Sequence, residues 1–139
     1  MDVEGYQLPD ELYYSRNHMW VRIEGKEKVK VGVNDFTQKL AGEISYVQLP
    51  LEGDVVKKDE VVGTIETKKW TGELFAPVSG KISKVNEALY DDPTLINQDP
   101  YGKGWIFEIE LENEDEVKEL MEVNEAAEWL KEEISKFSK

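Results

Sequence analysis

No cysteine occurs anywhere in the 139 residues. That absence removes disulfides, thiolate nucleophiles and cysteine-ligated metals together. It suits a reducing compartment, and the expected location is cytoplasmic. Histidine occurs once, at His18, and a lone imidazole has no second ligand to support a metal or base role. Positive charge is scarce: 17 Lys and Arg against 30 Asp and Glu leave a net charge of −13. Such a surface repels phosphate backbones and anionic bilayers, so neither nucleic acid nor membrane is expected as a partner. No apolar run approaches the ~20 residues of a spanning helix. The opening Met1-Asp2-Val3-Glu4-Gly5 has neither a basic start nor an apolar core, so no signal or transit peptide is expected. No paired carboxylates, phosphate loop or catalytic triad can be assembled, and the chain is not expected to be an enzyme.

What is present is a series of short strand signals. The length fits one domain over 1–139. Residues 1–17 form an entry segment with Pro9 and a Tyr13-Tyr14 pair. Trp20-Val21-Arg22-Ile23 and Lys28-Val29-Lys30-Val31-Gly32-Val33 alternate around a turn and read as a hairpin. Asn34 or Asp35 can cap a short helix to about Leu40, with Phe36 and Leu40 on one side and Gly42 as its stop. Residues 44–49 form a further strand, followed by short ones near 53–56, 61–66, 73–76 and 80–86. Close-spaced short strands indicate a mainly β chain, a sandwich or flattened barrel. Gly53-Asp54-Val55-Val56-Lys57 is faintly echoed by Gly80-Lys81-Ile82-Ser83-Lys84, as a pseudo-twofold sandwich would require. Residues 91–102 read as a loop rich in breakers. Residues 105–111 form a strong strand, and a helical extension over about 114–137 breaks near Val123-Asn124, with Val117, Leu120, Met121, Ala127, Leu130, Ile134 and Phe137 on its apolar side.

One stretch stands apart. Glu66-Thr67-Lys68-Lys69-Trp70-Thr71-Gly72-Glu73 lies between two strand-like runs and is followed by Ala76-Pro77-Val78-Ser79-Gly80. A lysine offered at a tight turn between strands is a good site for enzymatic modification. The bland reading, a solvated surface charge, holds for most turn lysines. Here the flanking strands and the lack of any other functional centre single it out.

These residues carry a resemblance. The chain resembles the glycine cleavage system H-protein family, lipoyl carriers, from about Tyr13 to its C-terminal helices. The match runs through His18-Met19-Trp20-Val21, Val31-Gly32-Val33-Asn34-Asp35-Phe36, Leu49-Pro50, Glu66-Thr67-Lys68-Lys69, Ala76-Pro77-Val78-Ser79-Gly80, Val85-Asn86-Glu87-Ala88-Leu89 and Asp99-Pro100-Tyr101-Gly102-Lys103-Gly104-Trp105. The family's usual lysine context, E-S-V-K, aligns Lys69, not Lys68, with the lipoylated position. The resemblance implies a lipoyl/biotinyl-type β-sandwich with an added N-terminal hairpin and C-terminal helices. It implies lipoate joined covalently to Lys69, with Glu66, Trp70, Glu73 and His18 around the arm. It also implies a carrier that shuttles the aminomethyl group of glycine from the decarboxylase (P protein) to the aminomethyltransferase (T protein) and is reoxidised by dihydrolipoyl dehydrogenase (L protein). A lipoate ligase or lipoyltransferase would load it. The cofactor would bring the reactive sulfurs that the chain lacks. Biotin carriers usually set their lysine between methionines, which this stretch does not have.

The chain departs from the family pattern next to the arm. Met19 stands where H proteins usually carry a glutamate thought to hold the loaded aminomethyl group, and methionine cannot accept such a charged hydrogen bond. Trp70-Thr71-Gly72 replaces smaller residues after the lysine; an aromatic there is either a stacking wall or a turn tryptophan half-packed on the sheet. Changes gathered at the arm on a matched scaffold keep an alternative open: an H-protein-like lipoate-binding protein that carries sulfur for heterodisulfide-reductase-like complexes. A lipoate relay and an unmodified interaction module are the others. The remaining acidic groups, among them Asp91 with Asp92 and Glu132 with Glu133, read as solvated surface.

Overall fold

The fold comes from a computed structural model that describes residues 1–137; the last two positions of the 1–139 reading lie outside them. In chain order the strands are β1 (Asp2–Val3), β2 (Tyr6–Gln7), β3 (Tyr13–Tyr14), β4 (Met19–Ile23), β5 (Lys28–Val33), β6 (Tyr46–Gln48), β7 (Val55–Val56), β8 (Val61–Glu66), β9 (Thr71–Phe75), β10 (Gly80–Val85) and β11 (Phe107–Leu111). The helices are α1 (Asp35–Ala41), α2 (Ala88–Asp91), α3 (Leu95–Gln98) and α4 (Val123–Phe137), with a 3-10 turn at Glu114–Glu119. A six-stranded antiparallel sheet, in the order β3-β4-β5-β11-β10-β7, faces a three-stranded sheet, β6-β8-β9, and β1-β2 form a small hairpin apart. This is the expected flattened sandwich, mainly β. No helix among the described residues is long and apolar enough to cross a membrane.

Alternation along β4 divides the core. Met19 and Val21 enter the space between the sheets with Val29, Val31 and Val33 of β5, Ile65 and Leu74 of the smaller sheet, and Ile109 of β11. Trp20 points the other way, into a second cluster with Tyr14, Phe36, Trp129 and Leu130. That second cluster is where α4 docks. Period-two strands thus bury both faces of one sheet, one against strands and one against a helix. Gly32 makes room for this: a Cβ there would lie 2.7 Å from the Trp20 indole.

The β4–β5 hairpin is found as the alternation predicts, in the register Val21 opposite Val31. Helix α1 is capped by Asn34, whose side chain accepts a hydrogen bond from Thr37 N, and it stops at Gly42 with φ 83°. The two glycine-led stretches supply β7 and β10, which pair with each other, Val56 opposite Gly80 and Val55 opposite Lys81.

Three expectations need correction. The breaker-rich stretch after residue 91 is not all loop, because α3 and the end of α2 fall within it. The α3 residue Asn97 explains the order: its side chain accepts from Ile44 N and donates to the Gly42 carbonyl, which satisfies backbone groups that α1 and its exit leave open. The C-terminal extension breaks beside Val123 as expected, but Leu120 and Met121 do not lie on a helical face. Leu120 is extended, and Met121 forms an isolated bridge with Tyr14, so sheet hydrogen bonding overrides helical periodicity there. Finally, Glu133 is not a solvated charge, as the site shows.

Candidate functional site

The β8–β9 hairpin turns over residues 67–70. Its last strand pair is Glu66 opposite Thr71, and Thr67 N donates to the Trp70 carbonyl at 2.8 Å. The Thr67 hydroxyl tightens the loop further, donating to the same carbonyl and accepting from Lys69 N at 3.2 Å. A threonine that bonds its own turn holds the tip without any distant support. Lys68 and Lys69 are both exposed there. Among the described residues no acceptor holds the Lys69 ammonium.

A cleft of about 440 Å³ opens beside the tip, and Lys69, Trp70, Glu73 and His18 all line it. The remaining walls are mostly apolar: Phe36 and Leu40 of α1, Phe75 of β9, and Phe137 at the end of α4. Leu40, Trp70 and Phe137 keep 51%, 43% and 58% of their surface exposed, so an incomplete apolar lining surrounds one lysine.

His18 reaches the cleft from the turn before β4, with φ 66°. Its ring lies 4.6 Å from Trp129 and is stacked at 5.4 Å on Phe36, centroid to centroid. The ring has a partner on each nitrogen: Asn34 Nδ2 at 3.0 Å from Nδ1 and Glu133 Oε1 at 2.9 Å from Nε2. The tautomer follows from the helix cap. Asn34 Oδ1 accepts from Thr37 N, so its amide nitrogen faces His18 and donates to Nδ1. The proton of neutral His18 therefore sits on Nε2 and is donated to Glu133. Burial pulls the imidazole below its ordinary pKa, and the opposing attraction of Glu133 does not overcome it. Burial also works against the Glu133 carboxylate, but Lys136 and His18 outweigh it and keep its pKa below the usual value.

Three of the four expected surroundings of the arm, His18, Trp70 and Glu73, thus meet Lys69 at one cleft. Glu66 does not: it sits at the base of the hairpin opposite Tyr46 and Thr71, and its backbone carbonyl takes the Ser45 N–H. Met19 does not line the cleft either. It is 1% exposed and packed between the sheets, which removes it from the arm's surroundings. The α4 contribution, Glu133 and Phe137, was missed as a site element, although the spacing of four places both on one face of a helix.

The residues fit a lipoyl group. Attachment needs an accessible primary amine with no competing partner, and Lys69 is exposed and has none among the described residues. A long apolar acyl tail needs a neighbouring unfilled apolar wall, and the cleft begins at that same residue.

Comparison with known proteins agrees with this geometry. The family model described as glycine cleavage H-protein matches residues 12–133. A glycine cleavage system H protein of Halalkalibacterium halodurans is 46% identical over 126 residues, 91% of this chain and 98% of that protein. A probable glycine cleavage system H protein of Pyrococcus abyssi is 45% identical over 132 residues, 94% of this chain and 98% of its own length. Among solved structures, a glycine cleavage system H protein from Mycobacterium marinum superposes with a TM-score of 0.78 at 33% identity, covering 87% of this chain and 97% of that one. With the fold, the hairpin lysine and these matches in hand, the chain belongs to the glycine cleavage H-protein family.

Proposed function

We propose that this chain is a non-catalytic lipoyl carrier of glycine cleavage, with lipoate amide-linked to Lys69. The observation that carries the reading is Lys69 itself: an unengaged amine at a turn closed by local hydrogen bonds, opening onto an apolar cleft. Lipoate bound there would supply a dithiolane, a two-electron acceptor whose sulfur can bond the cargo as the S–S bond opens, and which is left as a dithiol for reoxidation once the cargo has departed. Every other contribution is the chain's own. The Thr67–Trp70 turn fixes where the tether begins. Phe36, Leu40, Phe75 and Phe137 offer apolar surface that excludes water from it.

The charge of the cleft favours a cationic amine as cargo. Acylation removes the positive charge of Lys69. His18 is held neutral by burial and adds none. Among the described residues, Glu73 then leaves the lining with an acidic group and no opposing cation. The partners on this reading are the decarboxylase, the aminomethyltransferase and dihydrolipoyl dehydrogenase of glycine cleavage, with a lipoate ligase or lipoyltransferase to load it, in the cytoplasm.

Two measurements test this. Expression with lipoate and a ligase should add one lipoyl mass that maps to the peptide containing Lys69, and Lys69→Arg should abolish it. The loaded protein should then support glycine–bicarbonate exchange with purified decarboxylase. Mass that persists in Lys69→Arg refutes the attachment site, and a loaded protein inert in exchange refutes the cargo in favour of the sulfur-carrying alternative.

A further inference from the structure

Trp70 is seated in an unusual way. Along β9, Gly72 and Leu74 are buried while Thr71 and Glu73 are exposed, so Gly72 faces the sandwich interior, paired with Ile65. The indole of Trp70 covers the position a side chain would take there. A Cβ on Gly72 would lie 2.1 Å from Cη2, 2.5 Å from Cζ2 and 2.7 Å from Cζ3 of that ring. The absence of a side chain at position 72 is therefore what leaves room for the outer edge of the six-membered ring beside the backbone. That part of the indole lies beside Gly72, while Trp70 as a residue stays 43% exposed and lines the cleft. The residue before it is Lys69's immediate site, and the backbone of Trp70 is fixed by the Thr67 bond.

We propose that Trp70, set beside the bare backbone of Gly72, is the positioning residue that receives the sulfur-bearing end of the lipoyl arm and shields it from solvent. The inference rests on lipoate being carried at Lys69. The occupant of the exposed face is the tail of Lys69 rather than a separate molecule, because a group tethered at the adjacent residue is present at high effective concentration. Divalent sulfur packs favourably against aromatic rings, and the preset ring loses little freedom on contact. Leu40 and Phe137 complete the surface against which the acyl chain lies. A smaller residue after the lysine would leave that wall open.

The test uses the full chain, lipoylated on Lys69 and verified by intact mass, as wild type, Trp70→Ala, Trp70→Phe and Gly72→Ala. Reduction by a water-soluble phosphine is followed under pseudo-first-order conditions. The S–S bond opens to two thiols as the phosphine becomes its oxide, with water supplying the oxygen and the protons. A sulfur–aromatic and apolar contact of ordinary strength slows this by about fivefold, so Trp70→Ala should react about fivefold faster and Trp70→Phe within about twofold of wild type. Gly72→Ala should behave like Trp70→Ala although it keeps the indole, because the added methyl displaces the ring. Fluorescence gives a second readout. Trp20, Trp105 and Trp129 do not line the cleft, so loading Lys69 should quench emission in the wild type and much less in Trp70→Ala. Equal reduction rates in wild type and Trp70→Ala, or quenching unchanged by that substitution, overturn the proposal. Absence of any added mass on Lys69 overturns it together with the carrier reading, and so separates the two failures.

Discussion

Lowering the pH from about 7.5 to 5.5 should destabilise this protein through His18, and the sign can be worked out. A base whose folded pKa lies below its unfolded value binds a proton more readily when unfolded. Burial lowers the folded pKa of His18 from 6.5. Its contribution is therefore complete above about 6.5, where both states are neutral, and is lost as the pH falls below that. The groups facing it do not reverse the sign. Glu133 favours the protonated ring, Lys136 disfavours it, and burial outweighs both as the largest cause. The Asn34 amide adds a geometric reason, since it donates to Nδ1 and would confront a second donor if that nitrogen gained a proton. One proton limits the loss to about 1 kcal/mol between pH 6.5 and 5.5, or roughly 3–4 °C in melting temperature for a chain of this size. The carboxylates that make the net charge −13 also titrate towards the acid side, so the quantity to read is a difference. Urea unfolding of wild type and His18→Asn (asparagine tolerates the positive φ) should give curves that run parallel above pH 7 and converge below 6.5. Because His18 is the only histidine, its ring proton in an NMR titration reports the same event without overlap. A midpoint above 6.5 would mean that the Glu133 attraction dominates, and the argument would be wrong.

Two further substitutions probe the scaffold under the site. Gly32→Ala should cost about 1–3 kcal/mol in urea unfolding, because its Cβ would meet the fully buried Trp20 indole, and such overpacking has no room to relax. Asn34→Ala should cost about 1–2 kcal/mol by removing the cap of α1; it also removes the donor on His18 Nδ1, so the imidazole nitrogen signals should show a changed tautomer balance.

The strands that were legible in the sequence are those whose signal is local. The β4–β5 hairpin has strict alternation and a glycine turn, and α1 has a cap and a stop within its own residues, so both appear where the pattern puts them. The lysine turn was legible for the same reason. What escaped depends on distant partners. Helix α3 lies among residues that read as breakers, and it is tied down by Asn97 bonding across to Ile44 and Gly42. Met121 follows a helical spacing but pairs with Tyr14 of β3. Glu133 looks like one acid in an acidic helix, and only the fold reveals that a histidine more than a hundred residues earlier holds it. Glu66 and Met19 show the converse error: nearness to the site along the chain did not bring either one into the cleft.

The hydrogen bonds that close the Thr67–Trp70 turn come from its own four residues, whereas the cleft wall opposite is borrowed from α1 and from the far end of α4. On the proposed carrier reading, an enzyme that joins lipoate to Lys69 would meet a tip already shaped without that wall, whereas shelter for the joined group would draw on α1 and α4 as well. Unravelling the last turn of α4 should therefore leave loading at Lys69 intact while uncovering whatever is attached there.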